Sequence, residues 1–511
     1  LNLTSPIWQM AIGLAQRLDG LPRNLAMHPC AVVLSDKTLY DRAPIEKNAS
    51  GYPMIPWDKD DVEVIGLLKL DILGVRMQSA LAYAIKEVER VEEREIKLDA
   101  IPLDDKPTFE LIRSTNTLGL FQIESPGQRE LVGKFAPETF TDLIIDISLF
   151  RPGPMKSDMI TPFLNARQGW KVKSLIHPDL EPILRETEGV VVFHEQVIEI
   201  IAKLTGISLA EADEKRRALG DRDSQQIICD WFFPAATKLG YSLSVITEVW
   251  DVLRAFASFG FCKAHAAAFA LPTYQSAWLK THYPAAFFAG ILTHDPGMYP
   301  KRLMLDEVRR LGISIAPLDV NSSDRTYRVE SGAIRISLQD LSGITDSEIN
   351  SIIKARPFLD IADFVNRTIV SKPTAEALLM VGAFDSLYKN TLNRRDLLLH
   401  LNDLYRWSRT SKKTDISSNQ LTFDLAPILQ KTGLPDLRRD ELVENEISYL
   451  NMDISHHMIE FYAEFLNSIG AVRSDQLRQQ RSRSEVLVAG VKVALQTPPI
   501  RSGKRVMFLT L

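Results

Sequence analysis

Three short groups of residues in this chain carry side chains that could do chemistry. The first is Lys69-Leu70-Asp71, near the end of the run from Val62 to Ile72. Side chains alternate between faces along a strand, so Lys69 and Asp71 share one face while Leu68, Leu70 and Ile72 share the other. A cation and a carboxylate placed this way can neutralise each other, the carboxylate can cap the next helix, or it can ligate a metal. The second group is Lys215-Arg216-Arg217. Consecutive basic residues fan over more than half of a helix, so at least one faces away from the core. Such a face either solubilises the chain or grips a triphosphate or a nucleic-acid backbone. The third is Lys263-Ala264-His265, at the mouth of a helix of small residues that lets other groups approach closely. A histidine there serves as a satisfied structural residue or as a site residue. Arg151 precedes the rigid turn Pro152-Gly153-Pro154. It is either a surface residue or a preset cation aimed at a phosphate.

The elements that must position these groups follow from periodicity. Val62 to Ile72 reads as a buried strand, broken by Gly74. Met77, Leu81, Ala84, Ile85 and Val88 then recur at helical spacing. Ala31 to Ser35 reads as a second short buried strand. Asp58-Lys59-Asp60-Asp61 reads as a solvated turn in preference to a metal cluster. Thr108 to Ser114 is expected to be a short helix, and Leu118 to Pro126 a strand followed by a turn. A helix is expected from His194, with Val197, Ile201 and Leu204 buried and Gly206 ending it. Ser208 and Glu211 form a capping box for the helix that carries the arginines. The helix after Lys263 is expected to run through Tyr274, Trp278 and Leu279 to Tyr283-Pro284.

From Gly332 the texture changes to short helices joined by tight turns. Glycine hairpins at Gly343 and Gly382 suggest helix–hairpin–helix pairs, which present backbone N–H groups to DNA phosphates without reading sequence. Ser408 to Asn419 is polar and expected to be flexible. Residues 486–511 alternate in a β pattern around the turn Pro498 to Lys504, as at the start of a small barrel.

The 511 residues are enough for roughly three or four domains. The chain is 45% hydrophobic and 24% charged, an ordinary globular composition. A formal net charge of −5 means that any nucleic-acid binding must come from local basic faces. Cys30, Cys229 and Cys262 form no CxxC pair, which suits a reducing, cytoplasmic setting and argues against a disulfide scaffold or zinc knuckle. No apolar run approaches the roughly 20 residues of a membrane span, and no export signal opens the chain.

Several long motifs, in fixed order, resemble those of the bacterial C-family DNA polymerases, the alpha subunit of DNA polymerase III. They are LKLDILG at Leu68–Gly74, FQIES at Phe121–Ser125, FRPGP at Phe150–Pro154 and FHEQV at Phe193–Val197. ADEKRRALG at Ala212–Gly220, FGFCKAHAAAFAL at Phe259–Leu271 and AWLKTHYPAAF at Ala277–Phe287 follow. The resemblance spans essentially the whole chain. The wording STNTLGLFQIESPGQRELV and HDPGMYPKR looks closest to the error-prone, damage-tolerant branch.

The resemblance implies a multidomain α+β chain: a partial palm with a mixed sheet, large mainly helical fingers, tandem helix–hairpin–helix motifs and the beginning of an OB-fold barrel. Residues 1–27 would end the thumb and 28–76 form the second half of the palm. Residues 77–315 would be fingers and 316–405 the helix–hairpin–helix, clamp-binding region. Residues 406–485 would be a linker and helical connector, and 486–511 the start of the OB fold. Asp71 would be the third catalytic aspartate, a Mg²⁺ ligand, with Lys69 beside it. Arg216 and Arg217 would hold the triphosphate of a deoxynucleoside triphosphate, and Lys263 and His265 would face the nascent base pair. Arg151, Gly343 and Gly382 would contact primer–template DNA. Gln420, Leu421, Phe423 and Leu425 would form a sliding-clamp peptide. Other replication or lesion-bypass subunits are the further partners implied.

The departures qualify this expectation. The family's first two aspartates lie on an Asp-x-Asp strand upstream of Leu1, and its N-terminal phosphoesterase-like domain is absent. Asp58-Lys59-Asp60 does not replace that pair, because the family carries a similar loop as well. Both ends read as cut: the chain opens on Leu1 and stops within the strand-like run Val506 to Leu511. One carboxylate cannot organise two ions about 3.5–4 Å apart, so the chain alone is expected to be inactive. The alternative is a catalytically incomplete DNA- and clamp-binding piece. Asp221-Arg222-Asp223 stands where a basic run often follows the arginine pair. Met27 and Pro29 flank His28 where the replicative branch usually has Lys and a small residue.

Overall fold

The computed structural model describes residues 5–18, 21, 25–28, 30–48, 50–72, 74–150, 160–170, 175–220, 222–256, 261–389, 391–414, 426–496 and 507–511. Arg151, Gln420, Leu421, Phe423 and Leu425 lie outside these residues. The chain divides into two units, Leu1–Val75 and Arg76–Leu511.

In the first unit a strand Ala31–Leu34 pairs antiparallel with Leu68–Asp71, in the register Ala31 with Asp71 and Val33 with Lys69. Ala31, Val33, Lys69 and Asp71 therefore share one face, and Val32, Leu34, Leu68 and Leu70 the other. The strands are not buried as expected: Leu68 is 58% and Leu70 41% exposed. An apolar run is buried only where a second layer covers it, and none of the described elements of this unit covers the leucine face. The run is also not one strand. Lys59–Val64 is a helix, because Asp58 Oδ1 accepts the Asp61 N–H at 3.0 Å and so starts a helical turn. Gly66, at φ +71°, ends that turn before the strand begins. The charge run is exposed at Asp58, Lys59 and Asp61 as expected, but it starts a helix in place of a turn.

In the second unit the helices begin where side chains cap them. Asp105, Ser125, Thr139, Ser208, Thr345 and Ser371 each accept a backbone N–H in the first turn that follows. The helix Arg76–Glu92 buries Met77, Leu81, Ala84 and Val88 and packs on Pro284–His294. The two backbones meet so closely at Gly290 that a Cβ there would strike the Ala80 carbonyl. The helix Lys263–His282 packs on Phe140–Leu149, Lys106–Arg113 and Arg76–Glu92. Its buried Tyr274 donates to Pro102 O at 2.8 Å and accepts the Asp105 N–H at 3.0 Å.

A separate core forms where His194–Thr205, Leu209–Ala218, Arg222–Lys238 and Leu243–Phe256 meet. Val197, Ile201 and Leu204 are buried there as expected, and Gly206 closes the first helix at φ +75°. A three-stranded sheet has Ala333–Arg335 at its centre, parallel to Ile315–Ala316 and antiparallel to Arg328–Glu330. Short helices follow, including Asp346–Ala355 and Lys372–Met380.

Two further expectations are corrected. Leu118 to Ser125 is a series of turns and no strand, because Gly119 and Gln122 take φ of +79° and +64°. Glu124 closes these turns by accepting N–H groups from Gly119 at 3.2 Å and Met298 at 2.9 Å. Of the polar stretch Ser408 to Asn419, Ser408 to Thr414 continues the helix Arg394–Thr414, because Ser408 is buried with its hydroxyl on Val365 O at 3.4 Å; residues 415–419 lie outside the described residues. At the C-terminal end Ala494–Gln496 pairs antiparallel with Phe508–Thr510. The intervening turn lies outside the described residues. The fold is mainly helical with small sheets, an α+β arrangement. Among the described residues no helix is long and apolar enough to cross a membrane.

Candidate functional site

In the first unit the side chain singled out by the sequence is the carboxylate of Asp71. Lys69 Nζ donates to both oxygens of Asp71, at 2.6 and 2.8 Å. Of the readings open from sequence, the ion pair is the one realised. Helix capping is not, since the next helix starts only at Arg76. The Lys69 hydrogen bond, with help from the charges of Lys69 and His28, holds Asp71 below the usual carboxylate range. Asp71 is thus an ionised, exposed, hard oxygen donor. It suits Mg²⁺ as one ligand among several. Among the described residues no group of three or more His, Cys, Asp or Glu side chains is placed to hold a metal. These residues alone do not make a metal centre.

The cations of the second unit are built differently. The capping box opens the helix Leu209–Ala218: Ser208 Oγ accepts the Glu211 N–H at 3.3 Å, and Glu211 Oε2 accepts the Ser208 N–H at 2.9 Å. In its last turns the three basic residues fan out. Lys215 Nζ lies 4.9 Å from the Trp231 ring centre. The Arg216 side chain is 18% exposed and that of Arg217 72%. One carboxylate serves both arginines. Asp213 Oδ1 accepts from Arg216 Nε at 2.9 Å, and Oδ2 from Arg217 Nη2 at 2.6 Å. The Arg216 hydrogen bond is the largest reason that Asp213 stays below the ordinary range.

Arg216 is also close enough to act on His194. Burial first, and then the Arg216 charge, push that imidazole below the ordinary histidine value. His194 opens its helix with its N–H on Phe261 O at 2.9 Å, beside a parallel bridge between Phe193 and Phe261. Two residues beyond Phe261, Lys263 Nζ donates to both oxygens of Glu186 at 2.7 Å. The Lys263 N–H donates to both oxygens of Glu195, at 3.0 Å. A cavity of about 360 Å³ lies here, lined by Glu186, Phe193, Glu195, Glu199 and Lys263 among others. Arg216 and Lys263 thus lie on either side of the junction of His194 with Phe261, and Arg217 is joined to Arg216 through Asp213. His265 meets this junction from the side of Phe261. Its ring packs between Phe261 and Phe269 at centroid distances of 5.3 and 4.6 Å, and Phe269 stacks on Phe121.

The hairpin glycines part company. Gly343 is exposed at φ +83°, with open space around it. Among the described residues nothing accepts its N–H, while the neighbouring Ser342 N–H is taken by Tyr449 O at 2.7 Å. Gly382 is buried, and its N–H donates to Leu379 O at 3.0 Å. The Arg394 guanidinium packs over it and donates to Met380 O at 2.8 Å. The Gly382 N–H is thus already used within the protein.

Sequence reasoning missed the counter-ions. Asp213 was legible, at three and four residues before the arginines on one helix. Glu186 was not, because its partner is 77 residues away.

The sequence is similar to those of known proteins. The family model described as the bacterial DNA polymerase III alpha NTPase domain matches residues 1–74. The bacterial DNA polymerase III alpha subunit finger domain matches 77–231, and a helix-hairpin-helix motif matches 312–397. The error-prone DNA polymerase of Symbiobacterium thermophilum is 32% identical over 99% of this chain and 50% of its own length. That of Bdellovibrio bacteriovorus is 31% identical over 99% of this chain and 49% of its own length. The DNA polymerase III subunit alpha of Pseudomonas aeruginosa is 31% identical over 99% of this chain and 46% of its own length. The chain spans about half the length of the curated relatives it matches.

Proposed function

The chain belongs to the family of bacterial DNA polymerase III alpha subunits, and on that premise we propose that it serves templated DNA synthesis, adding deoxynucleotides to a primer 3′ end. The observation that carries this reading is Arg216 beside His194 and Lys263 beside Phe261, at the junction where the two segments meet, with Arg217 joined to Arg216 through Asp213. Guanidinium forks and an ammonium fit the non-bridging oxygens of a triphosphate, and they stabilise the charge that builds as the phosphoryl group transfers. His265, held between two phenylalanines, positions the helix face towards the nascent base pair. Asp71 supplies one carboxylate towards Mg²⁺, completed by carboxylates beyond this chain. When bound, the ions would activate the primer hydroxyl and neutralise the leaving group.

The domain reading extends this. Residues 28–76 serve as palm, 77–315 as fingers, 316–405 as the helix–hairpin–helix region and 486–511 as the start of an OB fold. Gly343 offers its free N–H to a DNA phosphate, and Arg151 lies along the nucleic-acid path. Gln420, Leu421, Phe423 and Leu425 dock on the sliding clamp. Two of the relatives are named error-prone polymerases, and this supports a role in lesion-tolerant repair synthesis in the cytoplasm. A second reading, a non-catalytic DNA- and clamp-binding piece, is favoured by the single carboxylate tied to Lys69.

Isothermal titration with dATP tests the main reading. Arg216→Ala with Arg217→Ala is expected to weaken binding at least tenfold, about 1.4 kcal/mol. Unchanged binding would remove the triphosphate role. With the Asp-x-Asp segment supplied upstream, primer extension is expected, and Asp71→Asn is expected to abolish it. Extension that survives the substitution would remove the metal-ligand role of Asp71, and no extension at all would favour the binding-piece reading.

A further inference from the structure

Lys263 is held at two points. Glu195 takes its backbone N–H, and Glu186 takes its ammonium with both oxygens at 2.7 Å. The Phe193 ring centre lies 5.6 Å from Nζ. The segment that presents Glu186 is itself fixed. It is the one-turn stretch Arg185–Thr187, closed by Glu188 at φ +54° and by the Gly189 N–H on Leu184 O at 2.9 Å. The buried Gln196 ties it to the other wall of the cavity. Its Nε2 donates to Thr187 Oγ1 at 2.8 Å, and its Oε1 accepts the N–H groups of Val192 at 2.8 Å and Phe193 at 3.0 Å. Glu186 thus reaches Lys263 from a rigid support.

A carboxylate and a phosphate each offer a lysine two oxygens at similar spacing. A polyphosphate arriving at Lys263 must therefore take the place that Glu186 holds. The side chains of Lys263 and Glu186 are 38% and 35% exposed, so the pair is wet enough to exchange. Asp213 stands in the same relation to Arg216 and Arg217. We infer that Glu186 is a positioning residue for polyphosphate binding: it presents Lys263 to the cavity in the empty state and is displaced by the phosphate oxygens of the ligand. The inference rests on the triphosphate reading above and names a residue that sets its affinity through Lys263.

The test is isothermal titration of inorganic tripolyphosphate into the 511-residue chain at low salt. Glu186→Gln keeps a hydrogen-bond acceptor and removes the charge. It is expected to tighten binding about threefold. Glu186→Asp keeps the charge and is expected to stay within about twofold of the parent. Glu199→Gln removes the same charge from the cavity wall without touching Lys263, and is expected to change affinity less than Glu186→Gln. In a Lys263→Ala background the gain from Glu186→Gln is expected to vanish. Equal gains from the two glutamine variants, or a gain that persists without Lys263, would overturn the inference. So would loss of binding on Arg216→Ala with Arg217→Ala combined with no gain from Glu186→Gln, which leaves the triphosphate reading standing. If the arginine pair can be removed without effect, that reading fails and the role of Glu186 fails with it.

Discussion

Lys280 Nζ lies 2.8 Å from Glu307 Oε1, and it donates as well to the carbonyls of Asn116 at 2.7 Å and Leu118 at 2.8 Å. All three donors of a wholly buried ammonium are thereby used. The contact pins the entry to the turns that carry Phe121 and Glu124, so a residue of the Lys263–His282 helix sets the course of a loop 160 residues away in sequence. Burial pulls Lys280 down to about 8, which leaves it protonated at neutral pH. Arg310 also holds Glu307, donating from Nη2 to the same Oε1 at 2.6 Å and from Nε to Oε2 at 2.7 Å. Lys280→Met leaves the carbonyls of Asn116 and Leu118 without that donor and leaves the buried Glu307 to Arg310 alone. It is expected to cost about 3–5 kcal/mol, read from urea unfolding. A cost below about 1 kcal/mol would show that water replaces the ammonium.

Asp146 has the opposite problem. It is buried in the helix Phe140–Leu149, and among the described residues neither carboxylate oxygen has a hydrogen-bond partner. Burial, and secondarily the charge of Asp142, push its proton affinity well above the ordinary value. A carboxyl that holds its proton more tightly when folded gives full stability below its unfolded pKa of about 3.9. That contribution is lost as pH rises towards the folded value. Unfolding free energy is therefore expected to fall between pH 5 and pH 8 in a part that Asp146→Asn removes. Parallel urea titrations at the two values measure it. A slope identical in parent and variant would mean that Asp146 is not titrating in the core.

What the sequence could and could not reveal follows from how local each cause is. The capping box of Ser208 with Glu211, the buried stripe Val197, Ile201 and Leu204, and the Gly206 stop are written within a few residues. Each was legible. The pairing of Lys69 with Asp71 followed from the two-residue period of a strand. Failures came where a local signal was overruled. Val62 to Ile65 looks like strand by composition, but one aspartate cap makes it helical. Leu68 and Leu70 look buried, but a two-stranded ribbon gives them no cover. Gly382 resembled Gly343 in its hairpin, and only the arrival of Arg394 from the next helix separates them. Glu186 could not be found at all, since nothing in its neighbourhood announces a lysine 77 residues on.

The two hairpin glycines give the last prediction, because they share a backbone conformation and differ in surroundings. Both take positive φ, +83° at Gly343 and +85° at Gly382. Alanine in the left-handed region costs about 1–2 kcal/mol wherever it is placed. At Gly343 nothing else is within reach of a methyl group, so Gly343→Ala is expected to cost only that. At Gly382 the methyl group would also strike the Arg394 guanidinium and crowd Asp385, which holds that guanidinium at 2.7 Å. Shifting Arg394 would also free the Met380 carbonyl. Gly382→Ala is therefore expected to cost about 2–4 kcal/mol, the strain plus overpacking in a closed site. DNA binding should divide the other way. Gly343→Asp sets a carboxylate where a phosphate would sit, and is expected to weaken duplex binding by about tenfold at low salt, equally for unrelated sequences. Fluorescence anisotropy on two duplexes checks this. If Gly343→Asp leaves affinity unchanged while the protein stays folded, the first hairpin does not touch the DNA backbone.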